Sequence, residues 1–229
     1  MVEKHSPKQE YGMKNDYSYA TGRARALEAK LKEPDRMEPE QILREYGLAG
    51  KDMDARLEEL MEKSLREFEE SAPDAVEPFR LMADLSNLKA FVRRSKKGEP
   101  IPYSRLGTFQ IPEDLEELRA KLFELGHPEL ADKLKELADL GLREIDLYLE
   151  NYFVERITNP LFLEYLQSKR DYLKTEEAPK QFYSRLARFL KESSTTKNMD
   201  LDVPTAFLLS KQRELELARA RALKAIIGG

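Results

Sequence analysis

Enzyme chemistry at neutral pH draws mostly on thiols, imidazoles and converging carboxylates, and this chain is poor in the first two. Cysteine is absent, and the imidazoles are His5 and His127 alone. Thiolate nucleophiles, thiolate zinc sites, iron–sulfur clusters and disulfides are therefore excluded, and a histidine metal cluster has almost no material to work with. His127, between Gly126 and Pro128, reads as a turn residue at a helix start. Carboxylates such as Glu116 and Glu117 are spread over helix faces and read as solvated surface, because acid–base catalysis needs a pair converging on one pocket. Glycine-rich phosphate loops are missing, as are a Gly-x-Ser-x-Gly elbow and a His-Glu-x-x-His pair. No residue is assigned a catalytic, cofactor-binding or metal-binding role.

Three polar constellations interrupt apolar helices instead. The first is Tyr17-x-Tyr19-x-x-x-Arg23-x-Arg25, in which Tyr19 and Arg23 share a helix face. It suggests rings packed inside, with guanidinium groups reaching a carboxylate or a backbone carbonyl. The second is Asp84-Leu-Ser-Asn87-Leu-Lys89. Asp84 lies at the margin of the stripe formed by Leu81 and Leu88, where a carboxylate without a hydrogen-bonding partner costs several kcal/mol. Arg23 or Arg25 is the expected partner, which would tie the first helix to the fourth. The third lies near the C-terminus, where Lys211 and Glu214 sit on the stripe of Leu208, Leu215, Ala218 and Ala222, followed by Arg219. Small alanines there permit close helix packing. Each constellation also reads as an ion-pair network that orients helices.

The elements that must position these groups are helical almost throughout. Apolar residues recur at intervals of three and four, as in Met53, Leu57, Leu60, Met61, Leu65 and Phe68, or Leu81, Leu85, Leu88 and Val92. The spacing predicts helices over about 16–31, 39–46, 52–70, 73–95, 113–125, 128–140, 142–157, 160–173, 180–191 and 203–227. Gly126 and Gly141 read as C-terminal caps. No period-two strand pattern survives, so the fold class is all-α: a multi-helix array of pseudo-repeated helical units with no sheet. Residues 1–15 read as a flexible polar tail. The segment 96–112, with three prolines and two glycines, is the best boundary candidate, and 193–198 is a second polar linker. The organisation expected is a first helical unit over 16–110 and a second over 111–229, which carries the remnant of a third and a long closing helix.

The chain has 229 residues, 36% of them charged, and a net charge of −4. It is long enough to bury a core without staples. The slightly acidic total argues against a general nucleic-acid coat. Abundant Lys and Glu, with few Asn, Gln or Cys, match the bias of heat-adapted proteins. No apolar run approaches the ~20 residues of a membrane span, and the charged start is unlike a signal peptide. A cytoplasmic location is expected.

In this order, the constellations resemble a family of central-stalk proteins of the rotary ATPases. Its members are lettered C in the archaeal and bacterial A/V-type ATP synthases and d in the eukaryotic vacuolar (V-type) proton pump. The likeness rests on Tyr17-Ser-Tyr19-Ala-Thr-Gly-Arg23-Ala-Arg25, on Asp84 through Lys89 with the basic stretch and Gly98 after it, and on Leu106-Gly107-Thr108. It continues in the aromatic helix Asp146-Leu-Tyr148-Leu-Glu-Asn-Tyr152-Phe153 and in Lys211, Glu214 and Arg219 of the closing helix. The chain looks like a shortened member. The second Asn-Leu expected after Asp171-Tyr-Leu-Lys174 is missing, most of a third unit is absent, and Ala218 stands where the family usually has Asn. The resemblance implies a non-catalytic spacer between the stalk proteins lettered D and F and the membrane rotor ring, which is built of proteolipids. It implies coupling of ATP synthesis or hydrolysis to proton or sodium transport, peripheral attachment to the cytoplasmic face of the membrane, and no cofactor or small-molecule substrate. Tyr17, Tyr19, Arg23, Arg25, Asp84, Asn87, Lys89, Gly107, Lys211, Glu214 and Arg219 would be its structural or interface residues.

A free-standing helical protein-binding paralogue without the rotor role is the alternative. Nucleic-acid binding through Arg93-Arg94-Ser-Lys96-Lys97 and Arg219-x-Arg221-x-x-Lys224 is a weaker one, because neither cluster has interleaved aromatics on which bases could stack.

Overall fold

The computed structural model describes residues 17–50, 52–98, 103–108, 112, 114–171, 177–193 and 201–228. The expected tail over 1–15 and most of the linker over 193–198 lie outside these residues. Among the described residues the fold is all-α: α1 (Ser18–Glu28), a 3-10 turn (Pro34–Arg36), α2 (Pro39–Glu45), α3 (Met53–Arg66), α4 (Pro73–Lys97), α5 (Leu115–Glu124), α6 (Pro128–Asp139), α7 (Leu142–Val154), α8 (Pro160–Asp171), α9 (Glu177–Ser193) and α10 (Asp202–Gly228).

Local chemistry sets the boundaries. Pro34 and Pro39 separate α1 from α2, each seated in the first turn of a helix where the missing N–H costs nothing. Asp52 caps α3 by accepting from Ala55 N at 3.2 Å, and Asp114 caps α5 by accepting from Glu117 N at 2.8 Å. Gly126 ends α5 with a positive φ of 79°, the left-handed conformation in which glycine carries no Cβ penalty. Gly141 does not repeat this role. It is the N-cap of α7 with a φ of −68°, and its N–H donates to the Glu144 carboxylate three residues on, at 2.9 Å. Glu144 reaches back to the helix start, so Gly141 belongs to the helix that follows it rather than the one before.

The long closing helix α10 organises the body. It packs against α1, the 3-10 turn, α2, α3, α4, α8 and α9. Val203, Ala206, Leu208, Leu209, Ala218 and Ala222 of α10 are buried. α3 runs antiparallel to it, with Phe68 just beyond α3 packed on Phe207 at 5.6 Å between centroids and Arg219 meeting Asp54 at the other end. α1 lies along α10 on a seam of small residues, where Ala20, Thr21 and Ala24 are all buried. α4 packs on α7, and α5 packs on α6. Burying each large apolar side chain contributes roughly 1.5–3 kcal/mol, and the core is one continuous cluster from Ala20 to Ala222.

Candidate functional site

The Asp84-x-x-Asn87 turn of α4 and the Leu106-Gly107-Thr108 segment meet in space. Asp84 is 1% and Asn87 0% exposed. They lie one helical turn apart, and both grip the loop that follows α4. The Asp84 carboxylate accepts from the Thr108 backbone N at 2.7 Å and from the Thr108 hydroxyl at 2.6 Å. The Asn87 amide donates to the Ser104 carbonyl at 2.9 Å and accepts from Ser104 N at 2.7 Å. Gly107 sits between them. A Cβ at this position would stand 2.7 Å from Asn87 Nδ2 and closer still to an Asp84 oxygen. Only a hydrogen there lets the loop backbone come down onto the two side chains.

Arg80, which belongs to none of the three constellations, completes this clasp. It donates to the Leu106 carbonyl at 2.8 Å, to Glu62 through both terminal nitrogens, and to Glu69 at 3.2 Å. The loop is thereby tied to α3 as well as α4. Burial works against the charge on Glu62, but hydrogen bonds from Arg80 and Arg66 outweigh it and hold the carboxyl below its ordinary value. The spacing carries the signal: Arg80, Asp84 and Asn87 fall at i, i+4 and i+7, a single polar stripe on a largely buried helix.

The tie expected from Arg23 or Arg25 to Asp84 takes another form. α1 lies beside the end of α3, so Arg23 meets Glu67 through Nε at 2.9 Å and Nη2 at 2.6 Å. Asp84 faces the other way, toward the 104–108 loop. The first and fourth helices are joined instead by the Tyr17 hydroxyl donating to Asp74 at 2.6 Å. Arg25 is half-buried on α1. Tyr19 is not packed inside: its ring is 70% exposed, because Ala20, Thr21 and Ala24 take the buried face and leave Tyr19, Gly22 and Ala26 outward. Lys89 donates to Glu150, and Arg93 meets Asp146 at 2.9 Å, which pins α4 to α7.

On α10 the Lys211–Glu214 pair closes at 2.8 Å. Glu214 is 3% exposed, and the same oxygen accepts from the Tyr46 hydroxyl at 2.9 Å. Its Oε2 is buried with no hydrogen-bond partner among the described residues. Burial and the neighbouring Glu214 charge raise Tyr46 well above the ordinary tyrosine value, so its proton stays in place to donate. Nothing in the local sequence marks Tyr46 as the third member, because it lies 168 positions away. Arg219 makes a two-point contact with Asp54 on α3, at 2.6 and 3.1 Å. A further buried link outside the three constellations joins Asn159 to Thr205 at 2.9 Å. Asn159 caps α8 by accepting from Phe162 N at 2.9 Å, and Asn159-Pro160 is a legible helix-start signature.

Beside the clasp, a groove of about 1030 Å³ opens between α3, α4, the 103–106 segment, α8 and α10. Its floor is apolar, with Met61, Phe79, Met82, Phe162 and Leu215, and its rim carries Glu58, Arg105, Lys169 and Arg219. Among the described residues no group of three or more His, Asp or Glu side chains is placed to hold a metal ion. No helix described is long and apolar enough to cross a membrane. The constellations thus resolve into helix-to-helix and helix-to-loop ties.

Compared with known proteins, the chain matches no family model, no curated protein and no solved structure.

Proposed function

We propose that the chain is a non-catalytic helical coupling protein, of the kind its sequence resembles in the A/V-type rotary ATPases. It would stand between the soluble stalk, with its D and F proteins, and the membrane rotor ring. One observation carries the reading. Two of the motifs that carry the resemblance, Asp84 through Lys89 and Leu106-Gly107-Thr108, are the two halves of one buried clasp. A spacer that passes torque must not yield between its helices. Buried side-chain clasps, with α10 pinned at Tyr46 and Asn159, supply that stiffness. Attachment to the cytoplasmic face of the membrane would come through the complex, with no cofactor bound. The test is affinity capture of the tagged chain from gently detergent-solubilised membranes of the source cell. Recovery of the D and F stalk proteins together with the rotor-ring proteolipid is the expected result, and absence of both overturns the reading.

A free-standing protein-binding role is the second reading. The observation that favours it is the open groove with an apolar floor and mixed-charge rim.

A further inference from the structure

The α5–α6 hairpin is the most detached part of the body. Its two helices pack chiefly on each other, burying Leu118, Leu122, Leu130 and Leu134. Where the hairpin turns, His127 is driven against α7. Its ring is 9% exposed, its Nδ1 lies 3.2 Å from the Tyr152 hydroxyl, and it packs against the rings of Tyr152 and Phe153 at 5.8 and 5.6 Å. Arg156 lies over the Tyr152 ring at 3.5 Å and pairs with Glu129 of α6 at 3.2 Å.

We propose that this cluster is an acid-sensitive latch, in which protonation of His127 releases the α5–α6 hairpin from α7 while the rest of the body stays folded. Two features oppose a charged ring. The Arg156 guanidinium is close by. Aromatic surfaces replace the water that an imidazolium needs. Burial first, and Arg156 second, hold the ring below the ordinary histidine value.

The remaining charges do not rescue it. Glu129 is the carboxylate of α6 drawn into the cluster, and it is spent on Arg156. From α5, Lys121 pairs with Glu124, and Arg119 pairs with Asp132 of α6, all on the exposed side. From α7, Tyr148 and Tyr152 present phenol rings, and α4 offers Lys89 and Arg93, each already paired to α7. Release would uncover α7 around Tyr152 and Phe153, a switchable apolar surface.

Hydrogen exchange read by mass spectrometry on the full chain, with labelling times scaled for intrinsic exchange, tests the latch between pH 7.5 and 5. Peptides from 115–139 should open increasingly as pH falls, by up to about tenfold per pH unit. Peptides from 203–222 should hold. In His127→Gln, whatever its baseline, the pH response of the hairpin should vanish. An unchanged response in His127→Gln, or loss of protection everywhere at once, overturns the proposal. Should His127→Gln fail to fold, the ring of His127 is followed in the wild type by NMR. Titration in the same pH range as hairpin opening supports the latch. Titration with the hairpin still protected overturns it.

Discussion

Asp84 shows what a single buried carboxylate can do when a loop, rather than an arginine, neutralises its need for partners. It accepts two hydrogen bonds from Thr108, and hydrogen bonds to a charged group are worth roughly 1.5–3 kcal/mol each. Asp84→Ala should therefore cost about 3 kcal/mol in urea unfolding. In a double-mutant cycle with Thr108→Val, a coupling above about 0.5 kcal/mol is expected. Strict additivity would show that the two side chains do not act together. Gly107→Ala should lose about 1–3 kcal/mol, because the new methyl group has nowhere to go between Asp84 and Asn87. The polar residues are legible as residue types in the sequence. Their partners are not, since a helical stripe says that a side chain is buried but not which backbone comes down upon it. For that reason spacing alone points Asp84 to an arginine, and turns Tyr19 inward although Ala20 and Ala24 claim that face.

At the scale of elements, periodicity locates each described α-helix to within a few residues, because spacing of three and four records burial directly. What it cannot record is pairing between distant elements. Lys211 and Glu214 are visible as neighbours on α10, while Tyr46 at the end of α2 is invisible from the sequence. The contacts of α10 also differ in worth. Glu214→Leu should leave Lys211 and Tyr46 unmatched in a buried place and cost about 3–5 kcal/mol. The triple replacement Tyr46→Phe, Lys211→Met, Glu214→Leu should recover most of that loss in thermal unfolding. If the triple variant is no more stable than Glu214→Leu alone, the three do not form one unit. Arg219→Ala, by contrast, breaks an exposed pair and should cost under about 1 kcal/mol, less still at high salt.

For the molecule as a whole, acid should act in two separable steps. His127 is neutral in the fold and has a lowered pKa, so its contribution is complete above about pH 6.5 and is lost as pH falls below that value. Glu62 is also lowered, so its share persists until about pH 4.5 and is lost below it; Asp54, held down by the hydrogen bond from Arg219, follows below about pH 3.8. Circular dichroism should show a small early loss of helix near pH 6 to 5 and a global transition only in the carboxylate range. A single transition in the carboxylate range would contradict this order. The all-α body and its elements are thus readable from the chain, and the clasp and latch are not, because both join residues brought together only by packing.

The position of α10 in the chain has a consequence for synthesis. The helices it covers, α1 through α3, leave the ribosome long before it does. At 5–20 residues per second, about 7 to 27 seconds separate the end of α3 from the start of α10. During that interval Leu57, Met61, Leu65 and Phe68, all buried in the finished fold, have no α10 to cover them. The nascent N-terminal half is therefore a natural client for a holding chaperone, and the fold is completed from its last helix backwards.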